Sequence, residues 1–257
     1  MVDYTLPQLK DKTIVVWFSC GAASAVAAYE TLRLYGKANK ILIVNNPVAE
    51  EHPDNQRFLK DVEAWLNHPI TYAINPKYPD CSCQTIWEER KYMAGISGAP
   101  CTVALKKESR IHWEKSNPHD FIVLGFTVEE RQRHDRFWWD RPDILPVLIN
   151  GEITKQDCWD FLRFQGLKLP AMYDLGYPNA NCIGCVKASS PTYWNHVRKV
   201  HPEIFDKRAK LSREIGAKLV KVKGKRIFLD ELDPKAKGRP IKNLQVECSS
   251  FCPLEED

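Results

Sequence analysis

The sequence predicts an α/β fold built on a largely parallel sheet, and three observations carry the prediction. Short apolar, β-branched runs alternate with longer stretches of helical period over the first two thirds of the chain. The first of these runs breaks off at a loop of small residues, Ser19-Cys20-Gly21-Ala22-Ala23-Ser24, that opens a helix. After Pro178 the character changes, and a cysteine-bearing C-terminal extension follows.

The elements follow in order. Residues 12–18 (KTIVVWF) make a buried strand and 23–36 a helix; 40–46 (KILIVNN) is the second strand. Residues 52–67 read as a helix with Asp54 near its start and an apolar stripe of Phe58, Leu59, Val62, Trp65 and Leu66. A short strand over 70–75 precedes helical stretches at 84–95 and 103–116, and 120–126 (DFIVLGF) is a further buried strand. Residues 144–149 form a short apolar segment, and 154–166 a helix with Thr154 as its N-cap. The extension is helical over 190–216, gives a hairpin around 221–229 and ends in ECSSFCPLEED. The expected domains are 10–188, binding nucleotide, and 189–257, folding back on the first.

Composition narrows the function classes. The chain has 257 residues, 44% of them hydrophobic, which is enough for a sizeable core. No apolar run approaches the ~18 residues that span a bilayer, and residues 1–12 contain no apolar signal core. The expectation is a soluble, cytoplasmic protein with no membrane partner. Net charge is +4, with basic residues concentrated late, in KLVKVKGKRIF and DPKAKGRPIK. A solvated charged face is the first reading of these clusters and nucleic-acid contact the second. Nine cysteines in a reducing compartment point to a metal site or redox chemistry before structural disulfides.

The loop at 19–24 is built for close approach of an anion. Gly21 permits unusual backbone angles, and Ala22 and Ala23 add little bulk. Successive N–H groups at a helix N-terminus then favour a phosphate, with Ser19 and Ser24 as hydroxyl donors. No Lys follows, so this is not the Gly-Lys-Ser/Thr phosphate loop. A tight turn packed on the sheet is the alternative. In parallel sheets ligands sit at the carboxyl ends of strands, which gathers this loop with Asn45, Asn46 and Gly125 to Thr127. Glu129, Glu130, Arg131, Arg133 and Arg136 follow that last strand, and arginines there could clamp phosphate or sulfate. Lys106 and Lys107 are weaker candidates. Glu50, Glu51, His52 and Asp54 could hold Mg²⁺, although acids are expected at a helix start in any case. His196 and His201 lie on an amphipathic helix and read as packing residues.

The cysteines divide by spacing. Cys182-Ile183-Gly184-Cys185 lets two thiolates face one metal or cluster. Cys20 reads as structural and Cys158 as core. Cys81 and Cys83, in a C-x-C, read as surface-loop residues with metal binding as the second reading.

Taken in order, several segments resemble the family of phosphoadenosine phosphosulfate (PAPS) reductases and N-type ATP pyrophosphatases, the PP-loop or adenine nucleotide α-hydrolase-like proteins. They are the loop SCGAAS, VNNPVAEEHPDNQRFLKDVEAWL, APCTVALKKESR, VLGFTVEERQRHDRF, ILPVLINGEITKQDCWDFL and YDLGYPNANCIGCVKA. The similarity runs from about Thr13 to about Ala188, and the nearest likeness is to the PAPS-reductase-like proteins of phages and bacteria. Three departures stand out. Ala23 replaces the acidic residue usual before the final Ser of the loop. The reductases' paired cysteines are a single Cys101 followed by Thr102. Their C-terminal Glu-Cys-Gly is matched by Glu247 and Cys248 followed by Ser249.

The resemblance implies a PP-loop parallel sheet flanked by helices. It implies an adenine nucleotide such as ATP, with Ser19, Gly21, Ala22, Ala23 and Ser24 at its phosphates and Asn45, Gly125 and Thr127 at its base and ribose. It places Cys101 beside Cys182 and Cys185, with Cys252 or Cys248 as a fourth thiolate. The centre is then a [4Fe–4S] cluster or, alternatively, structural zinc; a redox dithiol or plain buried cysteines remain the third reading. Two chemistries follow from the family. In one, ATP adenylates an acceptor oxygen and sulfur from a donor displaces AMP, thiolating a tRNA or other nucleic-acid base. In the other, Cys248 attacks the sulfur of a bound sulfonucleotide, with Arg131 and Arg133 on the anion and a thiol as reductant. A zinc-stabilised, non-catalytic nucleotide-binding module, alone or as an oligomer, is the remaining alternative.

Overall fold

Five residues, Thr13-Ile14-Val15-Val16-Trp17, become the central strand because all but the first are buried, leaving no face for polar side chains. The computed structural model describes residues 4–95, 98–244 and 248. In chain order its main elements are β1 (Thr13–Trp17), α1 (Ala22–Tyr35), β2 (Lys40–Asn45), α2 (Asp54–Leu66), β3 (Ile70–Tyr72), α3 (Cys83–Arg90), α4 (Pro100–Thr102), a π-helical stretch (Val103–Glu108), α5 (Ser109–Ser116), β4 (Phe121–Val123), α6 (Arg131–Trp138), β5 (Ile144–Leu145), α7 (Val147–Asn150), α8 (Lys155–Phe164), α9 (Ala171–Asp174), α10 (Pro191–Val200), α11 (Pro202–Ile215), β6 (Val220–Val222) and β7 (Lys225–Ile227).

The chain forms two compact units interleaved in sequence. Unit 1 takes residues 1–47, 53–74 and 110–171. Its sheet is parallel throughout, in the order β3-β2-β1-β4-β5. The chain winds outward from β1 through β2 to β3, then returns to the other side of β1 for β4 and β5. The switch point therefore lies between β1 and β4, where parallel sheets leave a crevice beyond their carboxyl ends. Helix α2 buries Phe58, Leu59 and Val62, each contributing roughly 1.5–3 kcal/mol. Helix α8 starts as expected at Thr154, whose hydroxyl accepts from the Asp157 N–H while the Asp157 carboxylate accepts from the Thr154 N–H.

Unit 2 takes residues 48–52, 75–109 and 172–257. Its core gathers Ile86, Trp87, Met93, Leu105, Trp194, Val197 and Leu229. The expected long helix of the extension is two helices, because Pro202 cannot continue α10 and instead opens α11. The expected hairpin forms between β6 and β7, with Lys223 and Gly224 both at positive φ in its two-residue turn. Among the described residues no helix is long and apolar enough to cross a membrane.

His134, fully buried beside Tyr4 and Phe126, gives unit 1 a pH dependence. Burial holds its pKa below the ordinary histidine value, although Asp135 works in the opposite direction. The unfolded chain therefore binds the proton more readily. The contribution is present above about pH 6.5 and is lost as pH falls through the depressed value. Urea unfolding should show stability falling between pH 7.5 and 5, with a shallower fall in His134→Phe.

Candidate functional site: a small-residue loop and a group of thiols

The loop after β1 sits at the switch point of unit 1. Cys20, not Gly21, adopts the left-handed conformation, with φ 56, while Gly21 is extended at φ −100. The freedom expected of Gly21 is thus used one residue earlier, by a buried cysteine. Ser24 closes the loop on itself. Its hydroxyl donates to the Gly21 carbonyl at 2.8 Å and accepts from the Ser19 N–H at 3.2 Å. Helix α1 begins at Ala22 with no side-chain cap and no acidic residue in its first turn. The partial positive charge of its first N–H groups therefore has no carboxylate of its own first turn beside it.

Gly125 bears on this loop directly. A Cβ there would meet the Ser24 backbone nitrogen at 2.7 Å and its Cα at 2.9 Å. The strand exit after β4 therefore lies against the first turn of α1, backbone on backbone. Asn45 is buried beneath the same loop. Its amide donates to the Phe18 carbonyl at 2.8 Å and reaches the Cys20 sulfur at 3.5 Å, so it positions the loop from within. Thr127 is buried and its hydroxyl is taken by Glu129.

The arginines expected to clamp an anion are committed to carboxylates. Arg131 pairs with Glu152 and stacks over Tyr4; Arg133 pairs with Glu130 at 2.8 Å and lies over Phe126. The acidic group proposed for Mg²⁺ is divided among separate tasks. Glu51 pairs with Lys106 at 3.4 Å, His52 lies against His201, and Asp54 holds Arg57. His196 and His201 pack around Tyr177, as packing residues should.

The thiols of unit 2 converge. Cys83, read from its spacing as a surface-loop residue, is instead 3% exposed. Its thiol is acted on by the Cys101 and Cys182 thiols. Cys185 and Cys248 interact electrostatically with Cys101 and Cys182 in turn. Cys101, Cys182, Cys185 and Cys248 are each partly exposed. Cys81 is buried too, but its thiol turns to the Pro79 carbonyl at 3.7 Å. Cys158 is core, as expected, and burial pushes its thiol up to about 12. Cys252 and Glu247 lie outside the described residues.

Glu50 binds the centre together. Its carboxylate accepts from the Cys83 N–H at 2.7 Å, the Gln84 N–H at 3.0 Å and the Ser82 hydroxyl at 3.0 Å, capping α3. Its backbone carbonyl accepts from the Ile183 N–H at 2.9 Å. One residue thus ties the helix bearing Cys83 to the Cys182–Cys185 turn. Gly184 makes that turn at φ 65, and the Cys185 N–H donates to the Tyr193 hydroxyl at 2.8 Å. A crevice lined by Tyr177, Asn179, Asn181 and Leu244 opens onto Cys182 and Cys185.

Charge completes the arrangement. A hydrogen bond from Cys83 holds the Cys101 thiol below its ordinary value despite burial, and Trp87 and Lys187 assist. Cys83 is pushed well up by its thiol neighbours and Cys185 by burial. Burial pushes Cys248 up to about 11, with Lys106 and Lys187 opposing. One acidic thiol among reluctant ones, with two cations acting on them, is a donor set that a metal's positive charge would ionise as a group. Among the described residues no three such side chains stand at metal-ligand spacing; thiols are the ligand type that iron–sulfur clusters and tetrahedral zinc use.

No family model matches the chain, and no curated protein matches it. Among solved structures it is similar in fold to the U34-tRNA thiolase NcsA from Methanococcus maripaludis with its [4Fe–4S] cluster, at 11% identity over 80% of this chain and 70% of that one, with a TM-score of 0.41.

Proposed function

We propose that this chain is an adenine-nucleotide-dependent enzyme of sulfur transfer, of the PP-loop and PAPS-reductase-like kind, acting on a nucleic-acid base. The convergence of Cys83, Cys101, Cys182, Cys185 and Cys248 in unit 2 carries the reading. The start of α1 at the switch point of unit 1, with no acidic residue in its first turn, supports the nucleotide. Ser19 and the backbone from Gly21 to Ser24 bind the phosphates of ATP. The acceptor base oxygen attacks the α-phosphate, the bond to pyrophosphate breaks, and the base carries AMP. Sulfur adds at the activated carbon, the carbon–oxygen bond breaks, and AMP leaves with the oxygen. When bound, an iron–sulfur cluster would supply a site for sulfide; Cys101, Cys182 and Cys185 would hold it. Lys106 and Lys187 offset the thiolate charge, and the basic residues from Lys218 to Lys242 suit a polyanionic acceptor.

Cleavage of a sulfonucleotide by Cys248 is the second reading. It is favoured by the position of that thiol, 3.6 Å from the Thr102 hydroxyl and among the other cysteines. A thiol pushed up to about 11 stays protonated at neutral pH, which weighs against it as a standing nucleophile.

Protein purified without oxygen should contain iron and acid-labile sulfide and absorb broadly near ~400 nm. Cys101→Ala, Cys182→Ala and Cys185→Ala should each remove the absorption, and the wild type should exchange pyrophosphate into ATP in the presence of bulk tRNA. Zinc without labile sulfide would sink the cluster. Sulfite release from a sulfonucleotide, without pyrophosphate exchange, would move the assignment to the reductase.

A further inference from the structure

The last stretch of unit 2 concentrates positive charge that its own carboxylates do not meet. Between Lys218 and Leu244 nine lysines and arginines stand among three acids. All nine are exposed, and among the described residues none of them pairs with a carboxylate. The three acids are engaged already. Arg213 of α11 takes Asp230 at 2.6 Å and Glu231 at 3.0 Å, and Asp233 accepts the Lys235 N–H at 2.8 Å. The arginines of unit 1 behave otherwise: Arg57, Arg131, Arg133 and Arg141 each hold a carboxylate.

The hairpin sharpens the contrast. Its register sets Lys221 directly opposite Arg226, and like charges so placed destabilise a sheet. Lys223 and Lys225 stand at its tip. A bound polyanion would remove that repulsion. Residues 233–242 then run as a strap along α10, held by their main chain. Asn195 donates to the Asp233 and Ala236 carbonyls at 3.0 and 2.9 Å, and Ser190 to the Arg239 carbonyl at 2.8 Å. The Thr192 hydroxyl accepts the Gly238 N–H at 2.8 Å. The hairpin joins the same place through the Lys221 N–H, which donates to the Ser189 carbonyl at 2.9 Å. With its main-chain groups bonded to α10, the strap leaves Lys235, Lys237, Arg239 and Lys242 exposed. Helix α10 also supplies the Tyr193 hydroxyl that accepts the Cys185 N–H, and Ile241 and Leu244, at the end of the strap, line the crevice onto Cys182 and Cys185.

We propose that the β6–β7 hairpin and the 233–242 strap are the docking surface for the phosphate backbone of an RNA, and that they lead its chain to the crevice beside Cys182 and Cys185. The surface offers no apolar anchor: among the described residues no exposed large hydrophobic side chain falls between Lys218 and Leu244. A membrane-surface helix needs an apolar face and a protein interface needs buried anchors, whereas phosphates need only cations. Asn179 and Asn181 line the crevice, and amides pair with the edges of unpaired bases, which RNA loops present and a closed duplex does not. This choice of RNA rests on the reading of the acceptor as a nucleic-acid base; the charge arrangement does not.

Binding of bulk tRNA to the full-length chain, followed by fluorescence anisotropy between ~50 and ~200 mM salt, tests the surface. Six phosphate contacts at roughly −0.7 each give log K against log salt a slope of about −4. Lys221→Gln/Lys223→Gln/Arg226→Gln removes three, so the slope should flatten by about 2 and affinity at ~0.1 M salt should fall roughly 100-fold. Lys235→Gln/Lys237→Gln/Arg239→Gln should do the same. The side chains replaced are exposed and unpaired, so both variants should fold as the wild type does. Lys12→Gln/Arg33→Gln/Lys77→Gln lowers the net charge equally at cations paired with Asp120, Glu30 and Glu89, and should leave the slope unchanged. No tRNA binding at low salt, or equal slopes in all three variants, would overturn the proposal. So would duplex DNA that competes as well as tRNA, or phosphatidylserine vesicles that bind the chain while tRNA does not. Pyrophosphate exchange stimulated by tRNA, with the wild-type slope in the hairpin variant, would remove the docking surface and leave sulfur transfer standing. A hairpin-dependent slope without exchange would do the reverse.

Discussion

Gly125→Val should abolish adenine-nucleotide binding while leaving the thiol centre loaded. The Gly125 Cα lies so close to the first turn of α1 that even a Cβ would stand 2.7 Å from the Ser24 nitrogen and 3.0 Å from the Ala23 carbonyl carbon. The clashing atoms are backbone, so no side-chain rotation relieves them. Either the exit of β4 or the start of α1 has to move. The start of α1 is the proposed phosphate site, and its loop is held by the Ser24 and Asn45 hydrogen bonds that such a shift would strain. Overpacking of this kind costs about 1–3 kcal/mol. Calorimetric titration with ATP should show no binding to Gly125→Val and weakened binding to Gly125→Ala, and urea unfolding should show the lost stability. Wild-type affinity in Gly125→Val would place the nucleotide elsewhere.

Removing the Glu50 carboxylate should have the opposite distribution. In Glu50→Ala the Cys83 and Gln84 N–H groups and the Ser82 hydroxyl lose a charged acceptor. Hydrogen bonds to a charged group are worth about 1.5–3 kcal/mol each, and water replaces part of that at the exposed edge of the cluster, so a net loss of roughly 2–4 kcal/mol is expected. Because Cys83 is among the groups released, metal content should fall with stability, while ATP binding by unit 1 should persist. Glu50→Gln keeps an acceptor oxygen and the side chain's volume and should recover part of both losses. Full metal loading in Glu50→Ala would show that the thiols hold their arrangement without the clamp.

The residues differ in how far each could be read in advance. β1, β2 and β4 were legible because buried parallel strands are uniform apolar runs, and Thr154 because a capping box is a local pattern of four residues. The strand-helix alternation gave the α/β class, and the strand pairing shows a parallel sheet with its switch point between β1 and β4. Arg131 and Arg133 were expected to face an anion, and their partners Glu152 and Glu130 could not be named, since an ion pair depends on where a loop brings its carboxylate. Gly21 was assigned a freedom that Cys20 uses, because a tight turn fixes its left-handed residue by the path of both flanking elements.

Cys83 is the clearest case. Two residues from Cys81 in a polar stretch after Pro79 and Asp80, it carries no local sign of burial. The nearest available signal was the helical pattern after it, which could have put a cysteine at a helix start facing inward. The sequence by itself determined the sheet, the loop at its switch point and the thiols close together in the chain, all of which rest on spacings of a few residues. Only the tertiary structure decided that Cys83 is buried, and that Glu50 ties it to the turn between Cys182 and Cys185. Those contacts join positions that are far apart along the chain, and only the packing of unit 2 brings them together.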